Sequence, residues 1–424
     1  MPARNASNPA GQEVKPTLDV PVARRLISRR DLLRRAAGLG GLTALASFLE
    51  ACRQAGLETA AGTSALSSGP TMTPNSMPTT TPSSTSVPSA MPAPKPSLTT
   101  SPSATPALSI SPTAPPTPTA TTQTGIARVA FVKIRDRAEG VRRAVDLLDI
   151  NPVQSKRTFL KPNFNSPDST PGSTHPDVLR TLVQELWKMG ASAITVADRS
   201  GMADTRHAME QKGVFAMAGE LGFEALVLDE LGEKGWASFQ PPDSYWQRGF
   251  LFARPCLEAE AVIQTCCLKT HRFGGHFTMS LKNSVGLVAK YGPDGYNYMQ
   301  ELHSSPNQRL MIAEVNTAYT PALIVMDGVE TFVNGGPEAG KQAWGEVVLA
   351  ATDRVALDAV GVALLRHLGT TPEVSQGLIF QQEQIARAVE LGLGAAGPDK
   401  IELVTADAES ETYAAQIREI LMRG

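Results

Sequence analysis

Three short stretches hold the residues best suited to chemistry: Phe159-Leu160-Lys161-Pro162-Asn163, Cys267-Leu268-Lys269-Thr270-His271 and Ser280-Leu281-Lys282-Asn283-Ser284-Val285-Gly286. The first two follow β-like apolar runs. Polar side chains at such positions gather at the carboxyl edge of a parallel sheet, where ligand crevices form. A lysine is a compact point charge and an asparagine amide a fixed dipole. Lys161, Lys269 and Lys282 with Asn163 and Asn283 are therefore a candidate cradle for a phosphate or carboxylate. His175, Asp198, His271 and Asp327 are the candidate proton-moving groups. His175 precedes Pro176 at a helix start, so it also suits the cap region of that helix.

Other chemistries fit less well. His175, His271, His276 and His303, with Asp198 and Asp327, offer imidazole and carboxylate for a divalent metal. No HxxxH or HxH pair fixes a geometry, so no metal ligand is assigned. Cys52, Cys256, Cys266 and Cys267 lack the spacing of a zinc site or an iron-sulfur cluster. There is no G-x-S-x-G elbow for hydrolysis. Gly335 to Lys341 has Walker-like spacing, but Gln342 replaces the Mg²⁺-binding Ser or Thr and no strand immediately precedes it. That Gly-rich segment is expected as a mobile loop over the sheet edge. The formal charge of −2 and the absence of a long basic run argue against nucleic acid as a partner.

The elements that must position these residues alternate. Arg128–Val132, Arg157–Leu160 and Ala193–Ala197 read as strands, and Gly140–Leu148 and Pro176–Met189 as helices between them. Further apolar runs follow at 225–228, 261–264, 322–326, 347–351 and 401–405, with helical patterns at 308–318 and 353–368. Such alternation predicts an α/β domain, residues 126–424, with a mainly parallel sheet and helices on both faces. Lys161, Asp198, Lys269 with His271, Asp327 and Asp353 would then share one edge. Asp353 also starts a helix, which suits a cap.

Residues 1–52 read as an address. Ser28-Arg29-Arg30-Asp31-Leu32-Leu33-Arg34 precedes the uncharged stretch 36–49, too short to span a bilayer. It resembles a twin-arginine (Tat) export signal, which makes the Tat translocase a partner. Leu49-Glu50-Ala51-Cys52 looks like a lipobox, with Cys52 as the lipidated residue and Glu50 out of pattern. The alternative is cleavage near Ala51 with an incidental cysteine. Residues 53–125, mostly Ser, Thr, Pro and Ala, bury too little apolar surface to order themselves and are expected as a disordered stalk. The chain is thus expected to be extracytoplasmic and anchored to the cell membrane.

Lys161-Pro162-Asn163, Thr174-His175-Pro176, Gly190-Ala191, Asp198, Lys269-Thr270-His271, Lys282-Asn283 with Gly286, Asp327-Gly328, Gly335-Gly336-Pro337 and Asp353 through Asp358-Ala359 together resemble the DUF362 family. The likeness runs from about 129 to 394. It implies little about activity, because the family is named for lacking a settled function. Some relatives carry ferredoxin-like cluster motifs beside this domain; this chain does not, so direct electron transfer is not what the resemblance implies here. Two readings remain: an enzyme acting on a small anionic substrate, or a non-catalytic lipoprotein that binds an anionic ligand or a metal.

Overall fold

A computed structural model describes residues 125–424. The expected export signal, the expected lipidation at Cys52 and the expected stalk fall on residues outside those described. The elements run in the order β1 (Ala127–Lys133), α1 (Arg137–Leu148), β2 (Arg157–Lys161), α2 (Pro176–Lys188), β3 (Ala193–Asp198), α3 (Thr205–Gln211), α4 (Val214–Leu221) and β4 (Glu224–Val227). Next come β5 (Trp236–Phe239), β6 (Phe250–Ala253), α5 (Arg254–Leu257), β7 (Ala261–His271), β8 (His276–Thr278), α6 (Ser280–Asn283), α7 (Tyr298–Ser304) and α8 (Gln308–Val315). The chain closes with β9 (Leu323–Gly335), β10 (Gly340–Trp344), β11 (Val347–Ala351), α9 (Arg354–His367), α10 (Pro372–Ser375), α11 (Glu383–Glu390), β12 (Ile401–Val404) and α12 (Ala408–Arg423).

Eight strands form one sheet in the order β12-β1-β11-β9-β7-β2-β3-β4, to which β8 adds against β7 and β10 against β9. The expected mainly parallel sheet is present: β12, β1, β9, β7, β2, β3 and β4 share a direction, and β11 runs against both of its neighbours. β5 and β6 form a separate two-stranded sheet.

Alternation explains why both faces are covered. In β1, Val129 and Phe131 face one apolar cluster, and Ala130 and Val132 face the other. A strand buried on both sides reads as a continuous apolar run, and this one does. The first cluster takes its helical side from α8, α9 and α12 through residues such as Met311, Leu357 and Ile417. The second draws on α1 and α2, through Val141, Val145, Val178 and Leu182. Helix starts follow local chemistry: the Asp136 carboxylate accepts the Glu139 N–H at 2.9 Å ahead of α1, and Pro176 opens α2 where its missing N–H costs nothing.

Asp353 does not share the edge at which the parallel strands end. It follows β11, which is antiparallel, so it lies at the opposite edge. There it caps α9, accepting the N–H groups of Val355 and Ala356 at 2.9 Å and of Ala395 at 2.8 Å.

Candidate functional site

The carboxyl ends of β2 and β3 lie side by side, which brings Lys161 and Asp198 together. Their charged groups meet at 2.7 Å with almost no exposure. Lys161 Nζ also donates to the Pro162 carbonyl at 2.7 Å and to Asn283 Oδ1 at 3.2 Å, so its three protons are all held. Asp198 further accepts the N–H groups of Phe164 and Arg199, each at 2.6 Å. A side chain at Gly286 would strike Lys161 Nζ at 2.7 Å and Asp198 Oδ1 at 2.8 Å, so only glycine lets the backbone pass so close.

The opposing wall is built by β7, β8 and α6. β7 runs eleven residues, well beyond the apolar stretch 261–264, because β8 folds back on it and pairs Lys269 with Thr278 and His271 with His276. Lys269 Nζ donates to the Gly172 carbonyl and, at 3.2 Å, to that of Pro337. Lys282 and Asn283 sit on α6, a single turn too short to be stable alone. Asp358 of α9 holds that turn from beneath, accepting the N–H groups of Ser280 at 2.8 Å and Leu281 at 3.0 Å. Asn316 Nδ2 donates to the Leu281 carbonyl at 3.0 Å, and Asn283 Nδ2 to that of Thr265 at 3.2 Å.

Between these walls is a cavity of about 80 Å³. One water needs only ~10–15 Å³, so a small ligand fits. Lys161, Asn163, Asp198, Lys269, His271, Lys282 and Asn283 all line it, although they span more than a hundred positions of the sequence. Several lining groups are buried without a partner: Asn163 Oδ1, Asn165 Nδ2, His271 Nδ1 and Thr278 Oγ1. Asn163, His271 and Thr278 are only 8%, 5% and 4% exposed. Buried polar groups are normally satisfied, and here four orphans belong to residues that line one cavity, so a molecule held there can supply partners to them.

Electrostatics sharpen the picture. Burial lowers the Lys161 ammonium, and Asp198 opposes that shift. Burial likewise lowers Lys269. Lys282 is brought down to about 7, first by burial and then by the positive charges of Lys269 and Arg199. The same surroundings hold His271 well below its ordinary value: burial first, then Lys282, His303 and Lys269. His271 is thus a neutral imidazole at pH 7. His303 lines the outer rim with Nδ1 at 2.6 Å from the Met299 carbonyl, an arrangement that makes Nδ1 the protonated nitrogen and leaves Nε2 as the base. The cavity can therefore hold negative charge and offer neutral bases beside it.

His175 and Asp327 lie apart from this cavity. β9 does not end at Met326 but continues to Gly335, so Asp327 is an interior strand residue. Its buried carboxylate meets Arg137 Nε at 2.8 Å, at the start of α1. Burial raises its pKa, and Arg137 opposes that rise. His175 caps α2, with Nδ1 accepting the Asp177 N–H at 3.1 Å. His276 is held in the β8 pairing, away from the lining. Among the described residues no three His, Cys, Asp or Glu side chains gather into a metal-holding group. The glycine-rich segment 335–340 is a tight turn between β9 and β10, and Pro337 within it lines the cavity.

Three polar lining residues escaped the sequence reading. Arg199 is fully buried and donates to the carbonyls of Val288 at 2.9 Å, Ser200 at 3.3 Å and Val285, tying the segment after α6 to the end of β3. Its place directly after Asp198, at a strand end, is a signal that could have found it. Asn165, two positions past Asn163, is similar. Thr278 becomes visible only once β8 is paired opposite Lys269.

Residues 158–363 match the family model described as "Domain of unknown function (DUF362)". No curated protein matches the chain. Every residue that lines the cavity, from Lys161 to Pro337, falls inside the segment that matches DUF362, which supports the family its motifs resemble.

Proposed function

We propose that this chain is an exported, membrane-tethered enzyme that binds a small anionic substrate in the cavity at the carboxyl edge of its sheet. Lys161, Lys269 and Arg199 set a positive field, to which Lys282 adds while protonated, and His271 moves protons at the bound molecule. The observation that carries the reading is the set of orphaned polar atoms, Asn163 Oδ1, Asn165 Nδ2, His271 Nδ1 and Thr278 Oγ1, on residues that line one cavity together with Lys161, Lys269, Lys282 and Arg199. Export rests on Arg29 and Arg30, and tethering on Cys52. A lipoprotein that only captures an anion needs the same cations. It has no use for an ionisable group poised near neutrality, and Lys282 at about 7 favours catalysis.

The test is thermal unfolding of the full chain against a series of small carboxylates and inorganic phosphate. At least one anion should raise the unfolding temperature, since a ligand that binds only the native state stabilises it by mass action. Lys269→Ala and His271→Ala should each erase that rise. If no anion stabilises the protein, the reading fails.

A further inference from the structure

Lys161 and Lys269 spend their ammonium protons on acceptors: a carboxylate, an amide and a carbonyl around the first, two carbonyls around the second. Each acceptor favours the charged form, which has no lone pair to give. Lys282 differs. Its side chain makes no hydrogen bond or ion pair to a described residue, and after burial the charges that most disfavour its ammonium are the cations Lys269 and Arg199. A lysine placed beside other cations and partly desolvated is the arrangement that turns an ammonium into an amine nucleophile. An ordinary lysine at pH 7 is neutral in only about one molecule in a few thousand. Lys282, at about 7, is neutral in a large share of them.

The surroundings match an amine that attacks carbon. A Cβ built on Gly275 would meet Lys282 Cε at 2.8 Å and His271 Nδ1 at 2.9 Å, so the side chains of Lys282 and His271, which both line the cavity, pack side by side over the Gly275 backbone. His271 Nδ1 has no partner, and the neutral ring can pass a proton to an oxygen beside Lys282. Asn165 Nδ2 and Thr278 Oγ1, also unpartnered, can donate to a carboxylate drawn in by Lys269 and Arg199.

We propose that Lys282 forms an imine with a 2-oxo acid bound in this cavity. The inference rests on the anion-binding reading and narrows its substrate class. The Lys282 nitrogen bonds to the keto carbon. The carbonyl oxygen then leaves as water with both hydrogens of the neutral amine, His271 relaying the proton between nitrogen and oxygen. No oxidant or reductant is consumed.

The full chain is treated at pH 7 with glyoxylate, pyruvate or 2-oxoglutarate and sodium cyanoborohydride, which reduces an imine to a stable secondary amine. Peptide mass spectrometry then locates the added mass. Lys282 should be labelled at least roughly tenfold faster than the exposed lysines, in line with its larger neutral fraction. Lys282→Arg should lose that label, and Gly275→Ala, which crowds both Lys282 and His271, should slow it. Because either variant can misfold, wild-type protein is also labelled in the presence of lactate and glycolate, hydroxy acids that bind as anions but form no imine. They should slow labelling at Lys282 and leave exposed lysines unaffected. If small anions stabilise the protein while none of the three oxo acids labels Lys282 preferentially, the imine is refuted and the anion site stands. If no anion binds and no preference for Lys282 is seen, both fall.

Discussion

Around the cavity a charge is either held or left without an acceptor. Lys161 is 1% exposed and pinned to Asp198, whose two oxygens also accept the Phe164 and Arg199 N–H groups. Removing one partner of a buried pair strands the other in a medium that cannot solvate it. Asp198→Ala is therefore expected to cost about 3–5 kcal/mol of stability, read by urea unfolding. A loss below ~1 kcal/mol would mean that the pair does little structural work. Lys161 and Lys269 were legible because each is a polar residue that follows an apolar strand run, and Lys282 because it stands in the Lys282-Asn283 stretch on α6. What each does was not legible, because three lysines read alike until their partners are seen: Lys161 and Lys269 brace the walls, and the Lys282 side chain has no acceptor among the described residues.

A single helical turn carries Lys282, and its support comes from far along the chain. Asp358 on α9 accepts both N–H groups at the start of α6 while itself fully buried, and burial lifts its carboxyl to about 7. Between about pH 4, where an unfolded aspartate titrates, and about 7, the folded protein keeps a proton that the unfolded chain has released. Stability must then fall as pH rises across that window. Asp358→Asn, which cannot ionise, should remove on the order of 2 kcal/mol of that fall between pH 5 and 7.5, measured by urea unfolding at each pH. Equal slopes in mutant and wild type would show that Asp358 is not held in this way. At this scale the strand starts were readable to within a residue: runs at 157, 193, 261 and 347 begin strands there, and those at 128, 225 and 322 belong to strands that begin at 127, 224 and 323. Two lengths and one direction were not. β7 and β9 extend through polar residues satisfied by β8 and β10, which periodicity does not register. Nor does an apolar run reveal which way its strand points, so Asp353, which follows β11, was placed at the wrong edge.

For the whole molecule, the proposed export signal governs where this site does its work. Arg29→Lys combined with Arg30→Lys is expected to leave the protein inside the cell, checked by fractionation and immunoblotting; export at the wild-type level would refute the twin-arginine assignment. The position of β1 also sets the order in which the domain can be made. Its neighbours in the sheet are β11 and β12, so Val129 pairs with Ala351 on one side and Leu403 on the other. A ribosome that has released the chain only as far as residue 340 leaves β1 bare on both edges, while β2, β3 and β4 already have one another. Closing so long a loop is slow and comes late. The half of the sheet bearing Lys161 and Asp198 can therefore assemble during translation, but the first strand of the domain locks in only when its last has been synthesised.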